Sequence, residues 1–312
     1  MLTAIVRRVL LVIPNIVLLT LILFWSVFEL LGTPITMMLG RDADLETIAT
    51  LNAQYGFDRP VFEQYVSWMG NALQGDFGRS YITKQSVADA IAPRILVTLE
   101  LAAIAVLLAT IATVIMNSIP VARRAVGSAN TALSLVGITV PNFMLGISLI
   151  YILSVQLGWL PTSGWADWSE GPVEHLTHLV LPALTLSAFF FGSFSLVYRA
   201  EYRAVQRQLF IKVARAKGLS EWGVSFKHSM PNSILPVVTY AGLSLGQMTG
   251  GAVVTETVFS VPGMGRLFVD SITSHDFPVM LAVGMIIIIG VVLLNLLADI
   301  LYTVINPRIR ME

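Results

Sequence analysis

Two histidines are the most conspicuous side chains with a possible chemical role. His175 and His178 are three residues apart, which on a helix places both imidazoles on one face at a spacing compatible with metal binding. A protein metal site needs at least a third ligand, and we identify none. We therefore interpret the two as a pair at a membrane–water boundary and predict no metal site.

Several common catalytic centres are excluded by residue type. The 312 residues include no cysteine, which removes disulfides, iron–sulfur clusters and cysteine nucleophiles. No Gly-Lys dipeptide occurs, so a P-loop cannot form. Neither a Ser/His/Asp arrangement nor a His-Glu-x-x-His motif is found. We predict that the chain is not an enzyme and binds no cofactor, so energy for any transport comes from another chain or from a gradient.

Polar residues in apolar surroundings are the remaining candidates, because polar groups are costly in lipid and are often functional there. Glu100 and Asn142 are the two that we predict on a transport path. Glu100 and Glu256 lie near the ends of apolar stretches, where each could instead simply sit at the membrane interface. Asn295 and Asp299 are one helical turn apart, and we expect them to hydrogen-bond to a neighbouring helix.

Membrane-spanning helices are the elements predicted to position these residues. Charged residues are 12% of the chain, against about 25% in soluble domains. A charge costs roughly 2.5–3.5 kcal/mol at the centre of a membrane helix, so charge-free windows of about 20 residues or more mark crossings. Six such windows occur: 9–28, 101–122, 125–166, 175–198, 229–255 and 277–298.

The windows predict an all-α integral membrane protein with six transmembrane helices. Residues 1–31 form the N-terminus and the first span, which is too long for the apolar region of a cleaved signal, and residues 32–95 form a helical segment outside the membrane. The core at 96–305 has spans at about 97–119, 131–157, 178–199, 234–256 and 278–305. A loop at 200–230 and a tail at 306–312 complete the chain.

Charge distribution predicts the orientation. Thirteen of the 19 Lys and Arg residues lie in the two termini, a basic loop at 119–130 and the 199–230 loop, which share one side, and six lie on the other. The positive-inside rule then puts both termini in the cytoplasm. The formal net charge is +0, and no basic stripe with interleaved aromatic residues suggests nucleic-acid binding.

The 199–230 loop contains a short helix with features of a docking element. Gly218 is a natural left-handed stop for it, and Ser220 suits the N-cap of a second helix. Ala214 and Ala216 keep the first helix thin, and Arg215 adds charge near its C-terminal end, where cations are favoured. Such a helix could dock into a groove on another protein; alternatively, the loop merely connects two spans and obeys the positive-inside rule.

Motifs along the whole chain resemble a known family. Ala214-Arg215-Ala216-Lys217-Gly218, followed by His228, Asn232 and Leu235-Pro236, resembles the "EAA" loop of ABC importer permeases, closest to the B-type subunit of the dipeptide/oligopeptide/nickel family. Other motifs that match in order include Gly56-Phe57-Asp58-Arg59-Pro60, Gly75-Asp76-Phe77-Gly78-Arg79-Ser80, Val140-Pro141-Asn142-Phe143, Glu256-Thr257-Val258-Phe259 and Pro262-Gly263-Met264-Gly265. Leu209-Phe210 and Asn117-Ser118 depart from the family's pattern, which has an acidic–aromatic pair and a Gly-Leu step there.

The resemblance implies the type I ABC importer permease fold and a set of partners. These are a paralogous second permease subunit, two cytoplasmic ABC ATPase subunits that bind ATP and Mg, and an extracytoplasmic solute-binding protein. It implies a bacterial or archaeal inner or plasma membrane. Short peptides are the favoured cargo, with a nickel chelate, an opine, glutathione or an oligosaccharide as alternatives.

The resemblance also assigns residues to two sites. The helix at 210–218 would transmit ATPase closure to the spans, and the loop after the fifth span would gate the outer mouth. The predicted docking residues are Phe210, Val213, Ala214, Arg215, Ala216, Lys217, Gly218, His228, Asn232 and Pro236. The predicted gate residues are Glu256, Phe259, Pro262, Gly263 and Gly265.

Three other functions compete with an importer permease. An ion-coupled secondary transporter would use midplane carboxylates and inverted repeats, neither of which is clear here. A membrane scaffold or channel subunit would need no energy coupling. An exporter permease is the third alternative, but an EAA-type loop resembles importers.

Overall fold

A computed structural model describes residues 2–32, 35, 44–119 and 127–305 of the chain. Within these ranges the regular elements are helices, apart from one isolated β-bridge between Arg79 and Ser86. The all-α prediction is therefore confirmed. The predicted tail at 306–312, and parts of the predicted 32–95 segment and of the basic 119–130 loop, lie outside the described residues.

Eleven of the described helices are numbered here in chain order. They are α1 Leu2–Leu31, α2 Leu45–Tyr55, α3 Val61–Ala72, α4 Val87–Ser118, α5 Gly127–Thr139, α6 Asn142–Leu149, α7 Pro172–Gln206, α8 Leu209–Ala216, α9 Leu235–Phe259, α10 Met264–Thr273 and α11 Phe277–Ile305. Shorter pieces are a π-helix Ile150–Gln156 that continues α6, a 3-10 turn Trp168–Glu170, and the consecutive pieces Glu221–Gly223, Val224–Ser229 and Met230–Ser233.

Four described helices are long and apolar enough to cross a membrane, and a bent pair makes a possible fifth. The four stretches are Arg8–Glu29, Val87–Ser118, Pro172–Gln206 and Phe277–Ala298. They overlap the predicted spans at 1–31, 97–119, 178–199 and 278–305, and the stretches at 87–118 and 172–206 begin earlier than predicted. The predicted span at 234–256 falls on α9, which is outside this set.

The predicted span at 131–157 differs from the structure, where it is broken. Ala129–Thr139 and Asn142–Gln156 are bent by 113° relative to each other. Pro141 is the N-cap of α6, with an extended backbone (φ −58°, ψ 137°). Proline lacks an N–H to donate and disfavours the helical conformation in the preceding residue. α5 therefore ends at Thr139, and α6 begins in a new direction.

The described residues divide into two compact units. The first comprises the residues up to 98 together with 262–296, and the second comprises 99–261 and the residues from 297 on. In the first unit, an aromatic cluster forms around Phe24, Tyr65 and Phe277. The Tyr65 hydroxyl lies 2.9 Å from the Thr20 hydroxyl, so the most buried polar atoms of this cluster are paired.

The core of the second unit is built around α7. Leu186, Phe190, Phe194 and Tyr198 are buried at its centre. Glycine brings the backbones of α5 and α7 into close approach: a Cβ on Gly192 would lie 2.4 Å from the carbonyl oxygen of Ser134. Only glycine fits such a contact without a shift of the helices.

Candidate coupling site

The helix α8 begins directly after the long helix α7 and ends at a left-handed glycine. It spans Leu209–Ala216, against the predicted 210–218. Gly218 has φ +79°, as the predicted stop requires, and a Cβ there would meet no atom within 4 Å. The constraint at Gly218 is therefore backbone conformation, because L side chains rarely adopt positive φ.

One face of α8 is fixed to the protein. Ile211 is fully buried and Ala214 nearly so, and both pack with Val205 at the end of α7 and with Val224. The small Ala214 side chain lets the helix lie close to this cluster. α8 is thus held to the second unit through apolar contacts of two side chains that lie one helical turn apart.

The opposite face of α8 exposes apolar side chains. Leu209 is 73% exposed, and Phe210 and Val213 are more than two-fifths exposed. Trp222 and Phe226, which follow on the next helical pieces, are also exposed and stack with ring centroids 5.4 Å apart. Exposed apolar groups in such number on one segment are typical of interaction sites.

Arg215 binds within the chain rather than projecting freely. Its guanidinium donates to Glu221 Oε1 at 3.1 Å and to Gln206 Oε1 at 2.5 Å. Arg215 therefore ties the end of α8 to α7 and to the next helical piece. Since the Arg215–Glu221 pair is more than one-third exposed, it contributes at most about 1 kcal/mol to stability. Ala216 and Lys217 are exposed.

The residues after Gly218 begin a new helical run, as predicted. The Ser220 hydroxyl accepts a hydrogen bond from the Gly223 N–H at 3.2 Å, which confirms the predicted N-cap. Further along, Asn232 Nδ2 donates to the His228 carbonyl at 2.6 Å. Pro236 lies in the first turn of α9, where its missing N–H costs nothing. We call residues 209–236 the basic segment.

A chain of buried hydroxyl groups joins the basic segment to α4 and α7. Ser225 Oγ donates to the Ser118 carbonyl, and the Tyr202 hydroxyl lies 2.8 Å from Ser225 Oγ. The Tyr198 hydroxyl is hydrogen-bonded to Ser118 Oγ. Because Ser225 gives its only proton to a carbonyl, Tyr202 is the donor in their bond. All four residues are buried; we call them the serine–tyrosine ladder.

A second polar group holds α4, α5 and α7 together next to this ladder. Asn117 Nδ2 donates to Ser195 Oγ at 3.2 Å, and Asn117 Oδ1 accepts from Asn130 Nδ2 at 2.9 Å. Arg199 donates to Thr131 Oγ1 at 2.6 Å and to Ser134 Oγ at 2.7 Å. Asn130 Oδ1 is buried without a hydrogen-bond partner among the described residues, but the four bonds still hold the three helices together.

The ladder was missed by the sequence analysis, although one signal was present. Ser118 was noted only as a departure from the family's Gly-Leu step. The Ser118 hydroxyl is hydrogen-bonded to Tyr198, which is 80 residues away in sequence, so the sequence near Ser118 does not reveal the contact. The geometry offers no bond-making chemistry; it offers a rigid connection from the surface of the basic segment into two long helices.

The predicted gate residues are divided between the two units. In the second unit Glu256 and Phe259 are buried at the end of α9, and their carbonyls accept from the Val261 N–H at 2.9 Å and the Gly164 N–H at 2.8 Å. The carboxylate of Glu256 is fully buried within the protein. In the first unit Pro262, Gly263 and Gly265 precede or begin α10. Their gating role stays a prediction.

Glu100 is bound to an aromatic loop. Its Oε1 accepts from Trp168 Nε1 at 3.0 Å and lies 3.1 Å from His175 Nε2. His175 Nδ1 faces the Ala166 carbonyl at 2.7 Å, and Trp168 stacks on the imidazole at 4.1 Å. Glu100 therefore anchors the loop before α7. Asn142 lies in the first turn of α6, and the path role of Glu100 and Asn142 stays a prediction.

The two histidines differ in burial, and their predicted position at a membrane–water boundary stays a prediction. His175 is fully buried, whereas His178 is partly exposed and its Nδ1 lies 3.0 Å from the Glu174 carbonyl. The two imidazoles thus have separate environments. Among the described residues, no group of three or more His, Cys, Asp or Glu could hold a metal ion.

Comparison with known proteins gives matches over almost the whole chain. Residues 1–102 match the family described as binding-protein-dependent transport system membrane component, N-terminal, and residues 105–311 match the binding-protein-dependent transport system inner membrane component. The glutathione transport system permease proteins of Escherichia coli K12 and of Shigella flexneri serotype 5b are each 37% identical over 312 residues, covering 99% of both chains.

Proposed function

The chain belongs to the family of binding-protein-dependent transport system inner membrane components, and from this we infer how ATP hydrolysis drives it. It is the permease subunit of an ABC importer in a bacterial inner membrane, and it is not itself a catalyst. ATPase subunits and a solute-binding protein are its partners. We propose that the basic segment docks onto an ATPase subunit and transmits its closure to the spans.

The observation that carries this proposal is the two-sided construction of α8. Its exposed face presents Leu209, Phe210 and Val213, while its other face is packed on Val205 and Val224. Coupling needs an element that a partner can hold and that moves as a body with the spans. The serine–tyrosine ladder supplies the second requirement, because it joins the same segment to α4 and α7.

The arrangement of the assembly is part of the proposal. We place the basic segment and both termini in the cytoplasm, from the distribution of Lys and Arg residues. A paralogous permease would supply the other half of the path, and two ATPase subunits would bind the ATP and Mg. The proposed docking residues are the ones predicted from the sequence between Phe210 and Pro236. Arg215 positions the segment, and the exposed apolar residues make the contact with the ATPase subunit.

For the cargo we propose short peptides, with glutathione first among them. The support is that the relatives at 37% identity are named as glutathione transport permeases. Glutathione is a tripeptide, which agrees with the favoured cargo of the family that the sequence resembles. Uptake by the complex of radiolabelled glutathione, in competition with unlabelled dipeptides, tests this choice.

A charge on the exposed face of α8 tests the docking. Val213→Glu puts a carboxylate into the proposed contact, and we expect ATPase subunits to be lost from the purified complex because an unpaired buried charge is strongly unfavourable. The matched control is Leu73→Glu, at a residue of the first unit that is 81% exposed. Wild-type recovery of ATPase subunits with Val213→Glu would refute the docking of this face.

A further inference from the structure

A cavity of about 400 Å³ lies within the first unit, away from the basic segment. Its walls come from α1, the turn between α2 and α3, α3 itself, the 76–81 turn and the start of α11. This volume is in the range of sites that bind small molecules. None of these walls belongs to the docking site proposed above.

Aromatic side chains form the inner wall of the cavity. Phe24 is buried, and its ring centroid lies 5.7 Å from that of Trp68. Phe28 lies 5.0 Å from Phe277 and 6.2 Å from Phe57 by the same measure. A wall of this kind favours an apolar or planar group on a ligand.

Charged side chains of both signs also line the cavity. Arg59 and Arg79 supply two guanidinium groups, and Glu63 and Asp76 supply two carboxylates. All four residues are exposed, and none forms an ion pair with another described residue. Asp76 Oδ1 accepts a hydrogen bond from the Gly78 N–H at 2.9 Å. Asp76 therefore stabilises its own turn, and Glu63 is the carboxylate better suited to bind a ligand.

Gln64 adds an acceptor without a partner. Its Nε2 donates to the carbonyls of Arg59 at 2.8 Å and Phe57 at 3.2 Å, which fixes the orientation of the amide. Its Oε1 is buried and has no hydrogen-bond partner among the described residues. A buried acceptor left unpaired is costly; Glu63, the residue before it, is exposed and is therefore the acceptor that a ligand cation can reach.

We propose that this cavity binds a small zwitterion that carries an apolar group. The anionic end pairs with Arg59 and Arg79, the ammonium end pairs with Glu63, and the apolar group lies on Phe24 and Trp68. Two sources present this chemistry: a short peptide with free termini and the headgroup of phosphatidylethanolamine. The proposal is independent of the docking of α8, because it concerns binding to this chain alone.

Isothermal titration of the full chain in a nonionic maltoside detergent tests the proposal. The probes are the dipeptide Phe-Ala, its uncharged analogue N-acetyl-Phe-Ala-amide, and dihexanoyl-phosphatidylethanolamine. We expect saturable binding of Phe-Ala or of the lipid, and binding of the uncharged analogue that is weaker by about tenfold or more, because charge-assisted hydrogen bonds are lost. Binding of the dipeptide identifies a peptide site, and binding of the lipid alone identifies a headgroup site.

Paired variants separate the site from general damage. Arg59→Gln and Glu63→Gln should each weaken binding of the active probe about tenfold. Lys84→Gln and Glu46→Gln, at exposed positions of the same unit that do not line the cavity, should bind it like the wild type. No saturable binding of either charged probe, or wild-type binding by both cavity variants, would overturn the proposal.

Discussion

At the scale of single residues, the serine–tyrosine ladder shows how single hydroxyl groups can fix the basic segment rigidly to the long helices. Ser225 has one proton and gives it to the Ser118 carbonyl, so the Tyr202 hydroxyl must donate to Ser225. A net contribution of about 1 kcal/mol is typical for such a bond. Its loss would loosen the segment without unfolding the protein.

Tyr202→Phe removes only that donor. We expect the assembled complex to form and to hydrolyse ATP, while solute uptake per ATP falls about fivefold, because that factor corresponds to a loss of about 1 kcal/mol of coupling free energy. The measurement is simultaneous uptake and phosphate release in proteoliposomes. Tyr151→Phe is the matched control, since its hydroxyl bonds an exposed Gln156. An unchanged uptake-to-ATP ratio in Tyr202→Phe would contradict the role of the ladder.

Gly218 tests the end of α8. A Cβ has space there, but φ is +79°, which costs a β-branched residue about 1–2 kcal/mol. We expect Gly218→Val to uncouple ATP hydrolysis from uptake with normal membrane insertion. Asparagine tolerates positive φ better, so Gly218→Asn should keep most of the uptake. Equal uptake by the valine variant and the wild type would count against a coupling role.

Residue identities predicted some of these features and could not predict others. Gly218 as a stop and Ser220 as a cap depend on the local backbone, and both were predicted. The buried His175 depends on Trp168 stacking over it and on Glu100 from another helix. Contacts across 75 residues of sequence are not encoded in any local pattern, so neither the burial of His175 nor its contact with Glu100 was predicted.

At the scale of elements, charge-free windows located the long helices but not their breaks. The window at 125–166 contains no charged residue. The free-energy cost of a charge in lipid therefore gave no sign that the helix is interrupted there. A membrane helix also tolerates a proline as a mere kink, so Pro141 did not mark a break. In the structure it caps a new helix after a 113° bend, because proline and its predecessor both leave the helical conformation.

The contact between α5 and α7 can be tested at one glycine. Gly192→Ala would place a Cβ 2.4 Å from the backbone oxygen of Ser134, and overpacking of this kind costs typically about 1–3 kcal/mol. We expect a lower thermal unfolding temperature in detergent, read by tryptophan fluorescence. Gly290→Ala, where a Cβ would meet nothing within 4 Å, should leave it unchanged or slightly higher. Equal unfolding temperatures for both variants would argue against the close approach.

At the scale of the whole molecule, composition predicted the class and the resemblance predicted the family. Low charge and long apolar windows are properties that lipid imposes on any spanning chain, so they are visible without a structure. The division into two units is different. It brings residues 262–296 into the unit that contains the N-terminal 98, and such long-range pairing has no signature in local sequence.

The orientation can be tested directly, because the natural chain contains no cysteine. Single cysteines at the exposed positions Arg207 and Gln85 would be the only reactive thiols. We expect a membrane-impermeant maleimide to label Gln85→Cys in intact spheroplasts, and Arg207→Cys only after permeabilisation, as the positive-inside rule requires. Labelling in the reverse pattern would show that the orientation is opposite to the one proposed. The basic segment would then lie on the side of the membrane away from the ATPase subunits.

The central claim is that ATP-driven work enters this permease through the basic segment. Its most direct test is uptake by proteoliposomes that contain this chain and its partner permease, supplied with the binding protein and labelled glutathione, with and without the ATPase subunits. We predict concentrative uptake only when the ATPase subunits and ATP are both present. Accumulation against a gradient in vesicles without those subunits would contradict the claim.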